Sequence, residues 1–148
     1  MELPLPLELA HMIHTGFWPS TPEAANAQNL KQTIPKERII RFAPEEEQLF
    51  LYPPPFYTVE QKMKGEKGNV FWNHPMASVH EIDPALALDI GDFGIGSDAA
   101  LILDYRHDRL NPSVLRLRWS TDRQKPPFSD NHWVEVASNF ATFANYLR

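Results

Sequence analysis

HEIDPALALDIGDFG (residues 80–94), DAALILDYR (98–106), SVLRLRW (113–119) and HWVEVAS (132–138) decide the fold of this chain. Each is a short apolar or alternating run, and Gly, Pro, Asn and Asp punctuate the gaps, as expected for successive strands joined by turns. VFW (70–72) reads as a further short run of the same kind. ALILDY is apolar at consecutive positions, which predicts a central strand covered on both faces. In SVLRLRW, Leu115, Leu117 and Trp119 share one face and Arg116 and Arg118 the other, which predicts a strand with one side in water. Immediately downstream Ser138 is placed to cap NFATFANYLR, where Phe140, Phe143, Ala144 and Leu147 recur on one helical face. That helix is expected to lie across the sheet.

Upstream the texture is helical. Pro4 and Pro6 open a helix in which Leu5, Leu9, Met12 and Ile13 make one stripe, closed by Gly16. Thr21 caps a second helix with Pro22 in its first turn, Ala25 and Leu30 turned inward, and an end at Pro35. Residues 39–42 are apolar but interrupted by Arg38, Arg41 and Pro44, and read as a loop or short edge strand; the sequence leaves 33–47 otherwise undefined. QLFLY (48–52) is a short strand stopped by Pro53, Pro54 and Pro55, which form a rigid turn. Thr58 caps a short helix ending at Gly65, and GEKGN (65–69) is a loop tip. All eight aspartates lie from Asp83 onward, while glutamate supplies every acid up to Glu66, in keeping with turns and strand ends late and helices early. The expectation is one α+β domain over 1–148: a mostly antiparallel sheet of four to six strands with N-terminal helices and a C-terminal helix packed on it.

A chain of 148 residues with 43% hydrophobic and 11% aromatic residues can bury a core without staples. The absence of cysteine removes disulfides, thiolate nucleophiles and thiolate metal sites. Fourteen basic against nineteen acidic residues give a net charge of −5, which argues against a nucleic-acid partner. No apolar segment approaches the roughly 18 residues of a membrane span, and the start has no leader pattern, so no membrane and a cytoplasmic location are expected.

Motifs for chemistry are weak. Asp92, Phe93 and Gly94 spell DFG, but the lysine strand and catalytic loop of a kinase are missing. Gly91, Gly94 and Gly96 are followed by a strand and no Lys-Ser/Thr, which fits a turn better than a phosphate cradle. Asp92, Asp98 and Asp104 do not have calcium-loop spacing and serve as turn acceptors. His11 and His14 stand three apart without an HExxH pattern, and no nucleophile elbow exists. Trp18, Trp72, Trp119 and Trp133 read as core rather than as a stacking platform. No cofactor and no metal are expected.

IGDFGIGSDAALILDYR (90–106), SVLRLRW and WVEVASNFATFANYL (133–147), preceded by two helices and LFLYPPP (49–55), together resemble the SUKH superfamily, which takes in fungal cell-wall assembly regulators and many bacterial toxin-immunity proteins. The likeness covers residues 48–148, and the first 45 by element order only. The irregular connection at 35–44 departs from the pattern. The resemblance implies a single α+β domain without enzyme activity that binds a protein partner, in many members a toxin neutralised inside the producing cell. A basic toxin domain meeting an acidic surface has complementary charge, and Asp92, Asp98, Asp108 and the Glu45, Glu46, Glu47 run are the expected contacts, on a monomer or weak homodimer. Two alternatives are a regulatory scaffold without a toxin, and a small metal-dependent hydrolase using Asp92, Asp98 and Asp104.

Overall fold

A computed structural model describes residues 3–65, 70–94, 98–119 and 131–148. The elements follow in the order α1 (Leu7–Thr15), α2 (Pro22–Lys31), α3 (Lys36–Ile39), β1 (Phe50–Leu51), β2 (Tyr57–Thr58), α4 (Val59–Lys64), β3 (Ala87–Asp92), β4 (Ala100–Asp104), β5 (Ser113–Arg118), β6 (His132–Ala137) and α5 (Phe140–Leu147), with four 3₁₀ turns between Val70 and Leu86. Six strands form one antiparallel sheet in the order β1-β3-β4-β5-β6, with β2 pairing β3 beyond the end of β1. This is the expected α+β architecture. The expected GEKGN tip and Gly96 fall largely outside the described residues.

β4 shows why its sequence is apolar throughout. Ala99, Leu101 and Leu103 belong to one core, which α1, α3 and α5 cover, while Ala100 and Ile102 belong to a second core under Val59 of α4, Phe71, Trp72 and Ala77. A strand between two packed layers has no wet face, and β4 sits centrally, as predicted. Trp18 and Trp72 are fully buried, one in each core. Among the described residues, no helix is long and apolar enough to cross a membrane.

Local signals explain most helix ends. Gly16 closes α1 with φ +85, a left-handed conformation that costs glycine nothing. Thr21 accepts the Ala24 N–H of α2, and Thr58 and Gln61 form a reciprocal capping box on α4. Four expectations are corrected. Leu30 is 88% exposed, because α2 packs by Ala25 alone. Residues 36–39 are a helical turn whose Ile39 is buried, so tertiary burial overrides the charged interruptions. VFW is a 3₁₀ turn that drops Phe71 and Trp72 into the second core. The α5 cap is Asn139, which accepts the Thr142 N–H at 2.8 Å; it stands one residue after Ser138, and the predicted stripe of Phe140, Phe143, Ala144 and Leu147 is buried.

A bulge in β3 has the largest consequence for chemistry. The register with β4 shifts between Asp89 and Gly91, so Asp89 lies opposite Ile102 and Asp92 opposite Ala100. Residues three apart normally point to opposite faces, but the extra residue resets the alternation. Asp89 and Asp92 therefore share the second-core face. Gly91 is needed there, since a Cβ would stand 2.8 Å from the Phe50 carbonyl oxygen of β1.

Candidate functional site

The acids predicted from sequence separate into three groups. At the turn end of the sheet, where β3 gives way to β4 and β5 finishes, Glu45 and Glu46 of the α3–β1 connection meet different groups: Glu45 the arginines of β5, and Glu46 the charge of Asp98. Glu45 accepts from Arg116 Nη2 at 2.5 Å and stands 3.7 Å from Arg118 Nε. Partial burial works against its ionised form, but the Arg116 hydrogen bond prevails and holds its carboxyl below the usual range. Glu46 is half-buried, and desolvation, with the neighbouring charges of Glu45 and Asp98, raises it despite the field of Arg116. Neither Glu46 nor Asp98 has an ion-pair partner among the described residues. Trp119 Nε1 donates to the Asp98 carbonyl at 2.7 Å and fixes the backbone there.

Glu47 is drawn away by Lys36 at 3.1 Å. Asp108 belongs to the opposite end of the sheet, in the β4–β5 connection, where its carboxylate accepts the N–H groups of Leu110 and Asn111 and is lowered by them. Asp92 departs most from expectation: at 1% exposure it cannot touch a docked protein. Its Oδ1 accepts the Gly94 N–H at 2.8 Å and its Oδ2 the Ala99 N–H at 3.3 Å, an Asx-type closure of the β3–β4 connection. Asp104 pairs in register with Ala87, four ladder positions from Asp92, and is gripped by the guanidinium of Arg106 at 2.9 Å. Asp92, Asp98 and Asp104 are thus not gathered at one point, and no group of three His, Asp or Glu among the described residues is placed to hold a metal ion.

Two charged residues that sequence reasoning did not place in the interior are buried. Arg116 was expected in water, yet only 4% of it is exposed. It faces the first core across from Leu101, with its guanidinium 5.9 Å from the Phe93 ring, and its Nε and Nη1 lack hydrogen-bond partners among the described residues. On the opposite face Asp89 is 3% exposed and meets Lys62 Nζ of α4 at 2.5 Å. Burial raises Asp89 to about 6 against the pull of Lys62, with the Gly91 N–H moderating the shift, and Oδ1 has no hydrogen-bond partner among the described residues. The alternation Val114, Arg116 was the available signal for a covered arginine, and an Asp inside the continuous apolar run ALALDI the signal for a buried acid.

One sheet edge is closed by side chains. Glu81 accepts the Trp133 backbone N–H at 2.9 Å and contacts His132 Nδ1 at 2.7 Å, capping part of the β6 edge that would otherwise recruit another strand. At the far end lies an apolar groove of about 570 Å³ between the starts of α1 and α5, bordered by the exposed Leu7 and Leu110.

The geometry defines a class: an α+β domain with an antiparallel sheet filled on both faces and a mixed-charge end. No family model, curated protein or solved structure matches the chain.

Proposed function

We propose that this chain is a non-enzymatic protein-binding module that docks a basic partner on the turn end of its sheet through Glu46 and Asp98. One observation carries the reading: the charge of Asp98 bears on Glu46 from a different element, and neither carboxylate has an ion-pair partner among the described residues, while neighbouring Glu45 and Glu47 are occupied by Arg116 and Lys36. Glu46, raised by burial and by the charges of Glu45 and Asp98, gains from an incoming ammonium or guanidinium, which relieves that repulsion and supplies charge-assisted hydrogen bonds. The net charge of −5 favours encounter with such a partner. The order of motifs resembling the SUKH superfamily supports an immunity role in the cytoplasm, with a basic toxin domain as the partner. A regulatory scaffold would use the same surface.

The test starts from a partner purified at low salt with the tagged protein and identified by mass spectrometry, since low ionic strength preserves charge-driven pairs. With both proteins purified, Glu46→Lys and Asp98→Lys should each weaken binding by about 10-fold or more, and Glu47→Lys by much less. Equal affinity of all three variants would overturn the assignment of the surface. A toxin domain as partner supports immunity, and a signalling or wall-synthesis protein supports the scaffold.

A further inference from the structure

The second face of the sheet carries a charge arrangement that partner docking does not use. Asp89 and Asp92 are placed side by side by the β3 bulge, at 3% and 1% exposure, and the described cation that pairs with either is Lys62. The charged groups bearing on Asp92 are Asp89 from its own strand and Asp98 from the β3–β4 connection; Lys62 of α4 bears on Asp89; β1 and β4 present Phe50 and Ala100. With both aspartates ionised the cluster keeps one uncompensated negative charge where water is excluded, and one proton removes it. Asp92 is also the group that closes the connection, holding Gly94 with one oxygen and Ala99, at the longer 3.3 Å, with the other.

We propose that Asp89, Asp92 and Lys62 form a proton-operated latch on the β3–β4 connection: with Asp92 ionised, both N–H groups are held, and with one proton on Asp92 Oδ2 the hold on Ala99 is released while that on Gly94 persists. The chemistry is that of a carboxylic acid, whose hydroxyl oxygen is a poorer acceptor than a carboxylate oxygen, so the proton goes to the oxygen with the weaker bond. Burial, reinforced by Asp89 and Asp98 and opposed by the two N–H groups, raises Asp92 to about 7, which brings the exchange near neutrality. The latch carries an unusual signature. Raising the pH tightens the connection locally while it lowers global stability, because the charge that grips Ala99 is costly to bury.

The test uses the free full-length protein and is independent of any partner. Side-chain carboxyl carbons and backbone amides are followed by NMR from about pH 5 to 8.5, a range spanning the ordinary and raised aspartate values. The expected result is an Asp92 carboxyl that titrates near neutrality and an Ala99 amide shift with the same midpoint, larger than that at Gly94. Asp92→Asn should abolish the Ala99 response. Lys62→Met, which removes the cation paired with Asp89, should move the Asp89 midpoint upward while the Ala99 response stays tied to Asp92. An Asp92 carboxyl that stays ionised down to about pH 5 overturns the proposal, and so does an Ala99 amide that does not follow it. The wild-type titration decides the matter even if a variant fails to fold.

Discussion

The two faces of the sheet bury charge of opposite sign and balance it differently. On the first, Arg116 cannot shed its proton, so the fold brings Glu45 from the α3–β1 connection to meet it. On the second, Lys62 pairs with Asp89 and leaves Asp92 without a cation among the described residues, and the remaining charge can be neutralised by a proton. A buried arginine therefore demands a fixed counterion and makes the structure sensitive to loss of that one acid. A buried aspartate pair makes it sensitive to pH instead.

Breaking the first arrangement has the largest expected effect. Glu45→Ala leaves Arg116 buried without its acid and should cost about 3 kcal/mol, read as a shift in the denaturant midpoint at unchanged slope. Adding Arg116→Met to that variant should restore most of the loss, because an apolar side chain needs no counterion in a core of Leu101 and Phe93. If the double variant is as unstable as the single one, buried charge is not the cause.

The second arrangement is probed by pH. Asp89 and Asp92 have folded-state values of about 6 and about 7, above those of the unfolded chain. Their folded forms bind protons that the unfolded chain releases, so stability is highest below these values and falls as pH rises through them. Thermal melts should show a loss of about 2–3 kcal/mol between about pH 5.5 and pH 7, and Asp92→Asn should remove about two thirds of it. Glu45 has the opposite sign: lowered in the fold, it contributes stability that disappears as the solution is acidified below its ordinary value. A flat profile across neutrality would show that the aspartate pair is not a titrating unit.

The bulge that creates the pair gives a sharper structural test. Gly91→Ala forces a Cβ against the Phe50 carbonyl and should cost about 2 kcal/mol, with the chemical-shift changes centred on β1 and β3. At the other extreme Leu30→Ser, on the outer side of α2, should change stability by less than about 0.5 kcal/mol in the same denaturant assay. A large loss there would mean that the exposed leucine is covered in solution.

Much of the fold was legible because its signals are local. The caps at Thr21 and Thr58, the left-handed Gly16 and the stripe on α5 each depend on residues within one or two turns. The apolar run of β4 announced a central strand. The candidate site was much less legible. Asp98, Glu45 and Glu46 stood out in the sequence as acids, but nothing local tells that Glu45 spans to Arg116 or that Glu47 turns to Lys36. Asp108 and Asp92 looked equivalent in sequence and ended at opposite extremes of exposure.

By itself the sequence determined the types of α1, α2, α4, α5, β1 and β3 to β6, the strand count within its range, the central place of β4 and the buried face of α5, since periodicity and capping act over a few residues. Only the tertiary structure decided that Arg116 is covered, that VFW turns inward and that Asp89 and Asp92 stand side by side. Those outcomes depend on layers packed from distant parts of the chain and on one extra residue in β3, whose effect on side-chain parity exists only once β4 supplies a register.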